Sequence, residues 1–415
     1  MSVQEIINKV DELRDEAASI LCDLIRIPTV NPPGDRYHEF CRKVAELLSS
    51  WGIRCEIVQV PRDYVIQHIP EYVDFLRFIL IAKIGTGKGP TLHFNGHYDV
   101  VPAGTGWTVC KPFDPKVIDD KVYGRGACDM KGGIVSILLA LKLLTKIENK
   151  LNGTVEIALV PDEEIGGATG TGYLVNVMNI RPDYVVVAEP TGLDKIVIGN
   201  KGLVWLMVEV LGKQAHAATP WLGVNAFELG VKFAAAIIDE LKRKTEERVS
   251  SYEYDIEGGN RATITFGGDV RSAGKVNVVP GVFAFSIDRR VIPEENVDQV
   301  EKELVDYLYS RASSMNITIN VKILQKSPPA VTSPDADIVK KLENAIREVT
   351  CIQNVRKVVC TGGLDTRYYQ VKGCQAVTYG PGDVSCAHQA DEYVSIRDVL
   401  TVTKVYLKLV EKLLL

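Results

Sequence analysis

Over the first 25 positions Val3, Ile6, Ile7, Val10, Leu13, Ala17, Ile20, Leu21, Leu24 and Ile25 recur at helical spacing, with Glu, Asp and Lys between them. Such a stripe predicts an amphipathic helix docked on a core, and it lacks the build of a signal peptide. A loop from Ile27 to Gly34 follows, then a second helix from Arg36 to Trp51. Beyond it the pattern shortens. Apolar runs at Arg54–Gln59, Phe78–Ile84, Thr91–Gly96, Gly153–Pro161 and Tyr184–Ala188 predict strands, and Ile134–Leu144 and Thr169–Met178 predict helices among them. Strands alternating with helices point to a layered α/β domain with a mostly parallel sheet.

Near Asn200 the order of elements changes. Leu203–Leu211 alternates as a strand, Val224–Arg248 reads as a long helix, and Arg261–Gly267 and Val276–Val291 are two strands in succession. Pro293 opens a helix to about Ser313, a position proline tolerates, and Ile317–Leu324 closes the set as a strand. The resulting β-α-β-β-α-β order is the ferredoxin-like split βαβ unit. After Ser327-Pro328-Pro329 the α/β pattern resumes, with a helix at Asp335–Val349, strands at Lys357–Thr361 and Ala376–Tyr379, and an amphipathic helix at Ser395–Leu415. The expected organisation is a discontinuous α/β domain, residues 1–199 and 327–415, carrying an inserted domain of residues 200–326.

Composition narrows the function classes. A chain of 415 residues with 46% hydrophobic and 24% charged residues is long enough for two cores and ordinary for a globular protein. A net charge of −5 and no basic run longer than Lys242-Arg243-Lys244 argue against a nucleic-acid surface. No apolar stretch approaches 18 residues, so no membrane span is expected. Nine scattered cysteines without a Cys-x-x-Cys pair fit buried thiols in a reducing, cytoplasmic compartment.

The candidate chemistry lies where loops meet strands and helices. His97 and Asp99 leave the Thr91–Gly96 strand two residues apart, on one side, as an imidazole ligand and a supporting carboxylate would. Asp129 ends a glycine-rich loop before a helix, where an isolated aspartate is usually a cap. Glu163 and Glu164 follow a buried strand as adjacent, diverging carboxylates; alone they would read as a solvated acidic turn. Glu189 ends the apolar run Tyr184–Ala188 and needs a partner if buried, which a cation would supply. His388 sits in a loop rich in glycine. Imidazoles and carboxylates at strand ends of an α/β sheet are the donors of a hydrolytic metal site.

Five blocks occur in one order along nearly the whole chain: Gly96-His97-Tyr98-Asp99-Val100-Val101-Pro102, Gly124-Arg125-Gly126-Ala127-Cys128-Asp129-Met130-Lys131-Gly132, Pro161-Asp162-Glu163-Glu164-Ile165-Gly166-Gly167, Ala188-Glu189-Pro190-Thr191 and Ala387-His388-Gln389-Ala390-Asp391-Glu392. Together they resemble the zinc-dependent aminoacylase and carboxypeptidase family that includes acetylornithine deacetylase, succinyl-diaminopimelate desuccinylase and glutamate carboxypeptidases. The resemblance implies a phosphorylase/hydrolase-like catalytic domain with a central mixed, mostly parallel sheet, and an inserted ferredoxin-like lid and dimerisation domain. It implies two divalent metal ions, zinc first, with cobalt or manganese also suited to the donors. His97, Asp129 and Glu189 would hold one, and Glu164, His388 and a bridging Asp129 the other. Asp99 would support His97, and Glu163 would be the general base. His216, in Gly212-Lys213-Gln214-Ala215-His216, resembles the family histidine that acts in the neighbouring subunit of a homodimer. Asn277, Arg290 (with Arg289 as rival), Gly363 and Arg367 resemble substrate-contacting positions. The implied substrate is a small N-acyl amino acid or short peptide, with deacylation slightly ahead of dipeptide or C-terminal peptide cleavage.

Other classes fit less well. Gly85-Thr86-Gly87-Lys88-Gly89 and Gly170-Thr171-Gly172 complete neither a P-loop nor a dinucleotide fingerprint, and no Gly-x-Ser-x-Gly elbow occurs. A non-catalytic binding protein on the same fold is the remaining alternative; against it, the ligands, the base and the lid histidine occur together.

Overall fold

The computed structural model describes residues 1–415. Two compact units are present: Met1–Gly199 with Thr332–Val358 and Leu364–Leu415, and Asn200–Val331 with Val359–Gly363.

The first unit is α/β, built on a mixed sheet. Its strands lie in the order Cys55–Gln59, Phe78–Gly85, Thr154–Val160, Thr91–His97, Tyr184–Val187, Gln375–Thr378, Lys195–Asn200. The four from Thr154–Val160 to Gln375–Thr378 run parallel to their neighbours, and the flanking pairs are antiparallel. These central strands are almost wholly buried, as parallel strands with both faces covered must be. The Gly132–Leu144 helix is buried nearly all round, in keeping with only two polar positions, Ser136 and Lys142. It packs against the closing helix Ile396–Leu414, whose N-cap Ser395 accepts a hydrogen bond from the Asp398 N–H.

The N-terminal stripe is one apolar face on three pieces, not one helix: Val3–Ile7, a 3-10 turn at Val10–Leu13, and Arg14–Ile25. The break falls at Asn8, the C-cap of the first piece and a residue that competes with the helical backbone for hydrogen bonds. The strand at Lys195–Asn200 and the short helix at Thr366–Gln370 are additions to the expected elements.

The second unit has a four-stranded sheet in the order Thr263–Arg271, Val282–Val291, Gly202–Leu211, Ile319–Ser327, each neighbour antiparallel. This is the ferredoxin-like arrangement of split βαβ units. Val204, Leu206, Val208 and Val210 alternate into its core with Phe233, Ile237 and Leu241 of the Ala226–Glu246 helix and Leu304 and Leu308 of the Val297–Ser314 helix. Two expected elements are corrected here. The helix predicted from Pro293 begins at Val297, because the Asn296 side chain caps it by accepting from the N–H groups of Asp298 and Gln299. The strand predicted over Val276–Val291 is divided at Pro280-Gly281 into Val278–Val279 and Val282–Val291; proline has no N–H for a ladder. The unit also runs past residue 326, since Gly202 lies against Pro329 and Tyr254 bridges Val359.

Candidate metal centre

Parallel strands bring their carboxyl ends to one edge of the sheet, and in open α/β sheets ligands bind there. His97 is the last residue of Thr91–His97 and lies level with Val160 of the neighbouring strand. Glu163 and Glu164 follow Val160 in a short 3-10 turn, and Glu189 follows Tyr184–Val187 on the other side. His388 comes from the loop beyond Gln375–Thr378, the next parallel strand. Asp129 enters from the Ala127–Lys131 turn that leads into the Gly132–Leu144 helix.

The side chains converge. His97 Nε2 lies 3.0 Å from Asp129 Oδ1 and 3.2 Å from Glu189 Oε1. His388 Nε2 lies 3.1 Å from Asp129 Oδ2 and 3.2 Å from Glu164 Oε1. Asp129 therefore turns one oxygen toward each imidazole and stands between two histidine–glutamate pairs. Donor atoms of His97, Asp129 and Glu164 lie within 4.8 Å of one another, as do those of His97, Glu163 and Glu189.

Crowding of carboxylates sets the electrostatics. Burial disfavours the ionised form of Glu189 and holds its carboxyl up to about 8, although His97 pulls the other way. Burial and then Glu189 push Glu163 well above the ordinary carboxylate range, and burial and then Asp129 raise Glu164. Asp129 is the exception: burial opposes its charge, but hydrogen bonds from His388 and His97 leave it well below that range. Burial disfavours a charged His97, yet Glu189, Asp129 and Asp99 outweigh it and raise its pKa. His388 is held up to about 10, first by its hydrogen bonds to Asp129 and Glu164.

A donor set of two imidazoles and several carboxylates, without thiolate, in so small a volume is the chemistry that divalent zinc, cobalt or manganese prefers. Cations would replace protons that these groups otherwise share.

The supporting shell was only partly visible in the sequence. His97 Nδ1 lies 3.0 Å from the Asp99 carbonyl oxygen and 3.5 Å from the carboxylate. The backbone of Asp99, rather than its side chain, makes the nearer contact with the imidazole. The carboxylate instead accepts from the N–H groups of Glu163 and Glu164, both at 3.2 Å, and from Asn31 Nδ2 at 2.8 Å. Asp162, which precedes the two glutamates at a positive φ of 67°, is buried and accepts from Arg77 Nε at 2.8 Å, Tyr37 Oη at 3.0 Å, Asn31 Nδ2 at 3.1 Å and Thr169 Oγ1. Arg77 is itself fully buried, its other donors going to the carbonyls of Pro33, Tyr72 and Phe75. Asn31 and Arg77 escaped the sequence reading, and Asp162 and Glu392, though inside the matching blocks, carried no expected role; a lone charge inside an apolar run, as Arg77 is before Phe78-Ile79-Leu80, was the available signal.

The remaining predicted residues lie apart from this cluster or are otherwise engaged. Arg367, expected to contact substrate, is buried and donates to the carbonyls of Leu364 (2.7 Å) and Gly166 (2.6 Å), so it clamps the turn after Glu164 with two of its five N–H groups. His216, Asn277, Arg290 and Gly363 belong to the second unit. There Arg289 faces the helix-covered side and pairs with Glu295 at 2.6 Å, whereas Arg290 faces the other side, held by Asp288 at 2.9 Å. His216 is exposed, and its Nδ1 accepts from the Ala218 N–H at 3.0 Å. Since an amide N–H can only donate, the neutral ring carries its proton on Nε2. Asn277 is exposed and its carbonyl accepts from the Ala217 N–H. Gly363 lies exposed in the loop before Thr366–Gln370.

Residues 93–412 match the family described as Peptidase family M20/M25/M40. An uncharacterized metallohydrolase of Methanocaldococcus jannaschii is 29% identical over 96% of this chain and 100% of its own length. A succinyl-diaminopimelate desuccinylase of Nitratiruptor sp. is 32% identical over 71% of this chain and 77% of its own. Among solved structures, the dipeptidase Dug1p of Saccharomyces cerevisiae superposes with a TM-score of 0.75 over 99% of this chain and 98% of its own; at 16% identity the likeness is one of fold.

Proposed function

We propose that this chain, which belongs to peptidase family M20/M25/M40 and is a metallohydrolase of that family, hydrolyses the amide bond of a small N-acyl amino acid. The observation that carries the reading is Asp129, whose two oxygens lie 3.0 and 3.1 Å from the Nε2 atoms of His97 and His388. His97, Asp129 and Glu189 would hold one divalent ion, and Asp129, Glu164 and His388 the second. When bound, such a pair lowers the pKa of a shared water and polarises the carbonyl under attack.

The chain's own residues do the rest. Glu163, beside the cluster but outside both ligand sets, takes the proton of the attacking water and returns it to the departing nitrogen. Asp99 holds the backbone N–H groups of Glu163 and Glu164, which keeps the base and the adjacent ligand in a fixed relation. His216, with its proton on Nε2, is a neutral donor suited to the oxyanion of the tetrahedral intermediate. In the second unit Arg290 and Asn277 are the residues proposed to meet the substrate carboxylate and its surroundings. The exposed Trp221, Leu222, Val224, Phe227 and Val231 of that unit favour association with a second copy.

The relatives named for N-succinyl substrates favour deacylation. Cleavage of dipeptides or of C-terminal residues is the alternative. A screen of N-succinyl, N-acetyl and dipeptide substrates on zinc-, cobalt- and manganese-loaded protein separates them. Turnover of an N-acyl amino acid that a chelator abolishes is the expected result. Turnover of dipeptides alone would replace the first reading with the second, and hydrolysis indifferent to chelation would defeat both.

A further inference from the structure

Asp129 serves both halves of the cluster only if its Cα–Cβ direction is held, and it stands in an irregular turn rather than in regular helix. At Asp129 the dihedrals are φ −116° and ψ 96°, outside the helical region, so this turn leaves N–H groups without helical acceptors. They are taken up by one side chain from the far end of the sequence. Glu392 Oε1 accepts from the N–H groups of Cys128 at 2.8 Å and Asp129 at 3.0 Å. Its Oε2 accepts from the Gly126 N–H at 3.0 Å and from Arg125 Nη1 at 2.5 Å. The Glu392 carbonyl also accepts from the Gly124 N–H at 2.9 Å. Glu392 is only 1% exposed, and a carboxylate so buried persists when charge-assisted bonds such as these replace its water.

The same loop carries His388, four residues earlier. One short segment thus supplies an imidazole to Asp129 Oδ2 and grips the backbone N–H of Asp129 itself. We propose that Glu392 is the positioning residue of the metal centre, fixing Asp129 in the orientation that lets it serve both ions and locking that orientation to the His388 loop. The inference rests on the two-metal reading. Glu392 touches neither ion nor substrate in this account; it acts through Asp129.

Asp391, next in line, supplies a matched control. Its carboxylate also clasps backbone, accepting from the N–H groups of Thr108 and Val109 at 2.9 Å and from Thr108 Oγ1, away from Asp129. Metal-free wild type, Glu392→Gln, Glu392→Asp and Asp391→Asn are titrated with Zn²⁺ against a chromophoric chelator, with circular dichroism and thermal melts on each. Glu392→Gln offers an amide N–H₂ where a backbone N–H needs an acceptor, so folded protein is expected to lose roughly 10–100-fold in Zn²⁺ affinity, with kcat falling and KM little changed. Asp391→Asn is expected to melt earlier and keep wild-type Zn²⁺ affinity. If Glu392→Gln does not fold, Glu392→Asp, which keeps the charge one methylene short of its partners, is held to the same criterion. Wild-type affinity in the folded Glu392 variant, or an equal loss in Asp391→Asn, overturns the inference alone. A wild-type chain that takes up no Zn²⁺ defeats the two-metal reading itself.

Discussion

At the scale of single residues, the adjacent pair Glu163-Glu164 shows how neighbouring carboxylates acquire different tasks. Glu164 Oε1 reaches His388, while Glu163 lies in the group formed with His97 and Glu189. Removing the proposed base should leave the ligand set intact. Glu163→Gln is expected to lose roughly 10²–10⁴-fold in kcat with metal content by atomic absorption unchanged; comparable turnover in the purified variant would remove Glu163 from that role. Behind the pair lies a purely structural dependence. Arg77 is the only cation hydrogen-bonded to Asp162, and both are buried. Truncation to Arg77→Met strands a buried carboxylate and four directed hydrogen bonds, so the cost is expected near 3–5 kcal/mol, read as a large fall in the denaturant midpoint. A drop comparable to that of an exposed pair would show that water reaches Asp162.

At the scale of elements, the central strands are tied by an ionic contact across their register. Glu156 lies level with His93 on the parallel neighbour and with Lys83 on the antiparallel one. Its carboxylate lies 2.7 Å from His93 Nδ1 and is also paired with the Lys83 ammonium. Burial works against its charge, but His93 and Lys83 prevail and bring Glu156 down to about 2 from 4.5. A carboxylate whose folded pKa is depressed stabilises the fold at pH values above its unfolded pKa, and that contribution is lost as pH falls through the folded value. Wild-type stability should therefore decline between about pH 4.5 and about pH 2 partly through this group. Glu156→Gln should be less stable at neutral pH and show a shallower decline over that window; parallel pH profiles in denaturant titrations would assign the acid sensitivity elsewhere.

At the scale of the whole molecule, the proposed reaction draws on residues from both compact units, the proposed metal ligands from the first and His216 from the second. If His216 acts on the neighbouring subunit of a homodimer, two differently damaged chains should complement. Mixing His216→Ala with Glu163→Gln subunits is expected to restore a fraction of wild-type turnover, since half of the sites in a mixed dimer regain both groups. Absence of recovery in verified heterodimers would place His216 with its own subunit's site or outside catalysis.

The sequence by itself determined the chemistry and the order of the parts. His97, Asp129, Glu163, Glu164, Glu189 and His388 each stand beside a strand end or a helix start, and parallel strands must deliver such positions to one edge. Successive strand residues take opposite sides, so the sequence left Arg290 and Arg289 as rivals. Tertiary structure decided what depends on distant partners. The sequence separations of 85 between Arg77 and Asp162, and of 263 between Asp129 and Glu392, leave no periodic trace. Asp99 looked like the carboxylate that steadies His97; it lies 3.5 Å from the imidazole and also accepts from backbone N–H groups more than sixty residues away, which no local pattern announces. Arg367 also ties Thr366–Gln370 to the turn after Glu164 through the Gly166 carbonyl, a contact no local pattern announces. Local pattern reports which residues could hold a metal; the hydrogen bonds that aim them are made between segments brought together only by the folded chain.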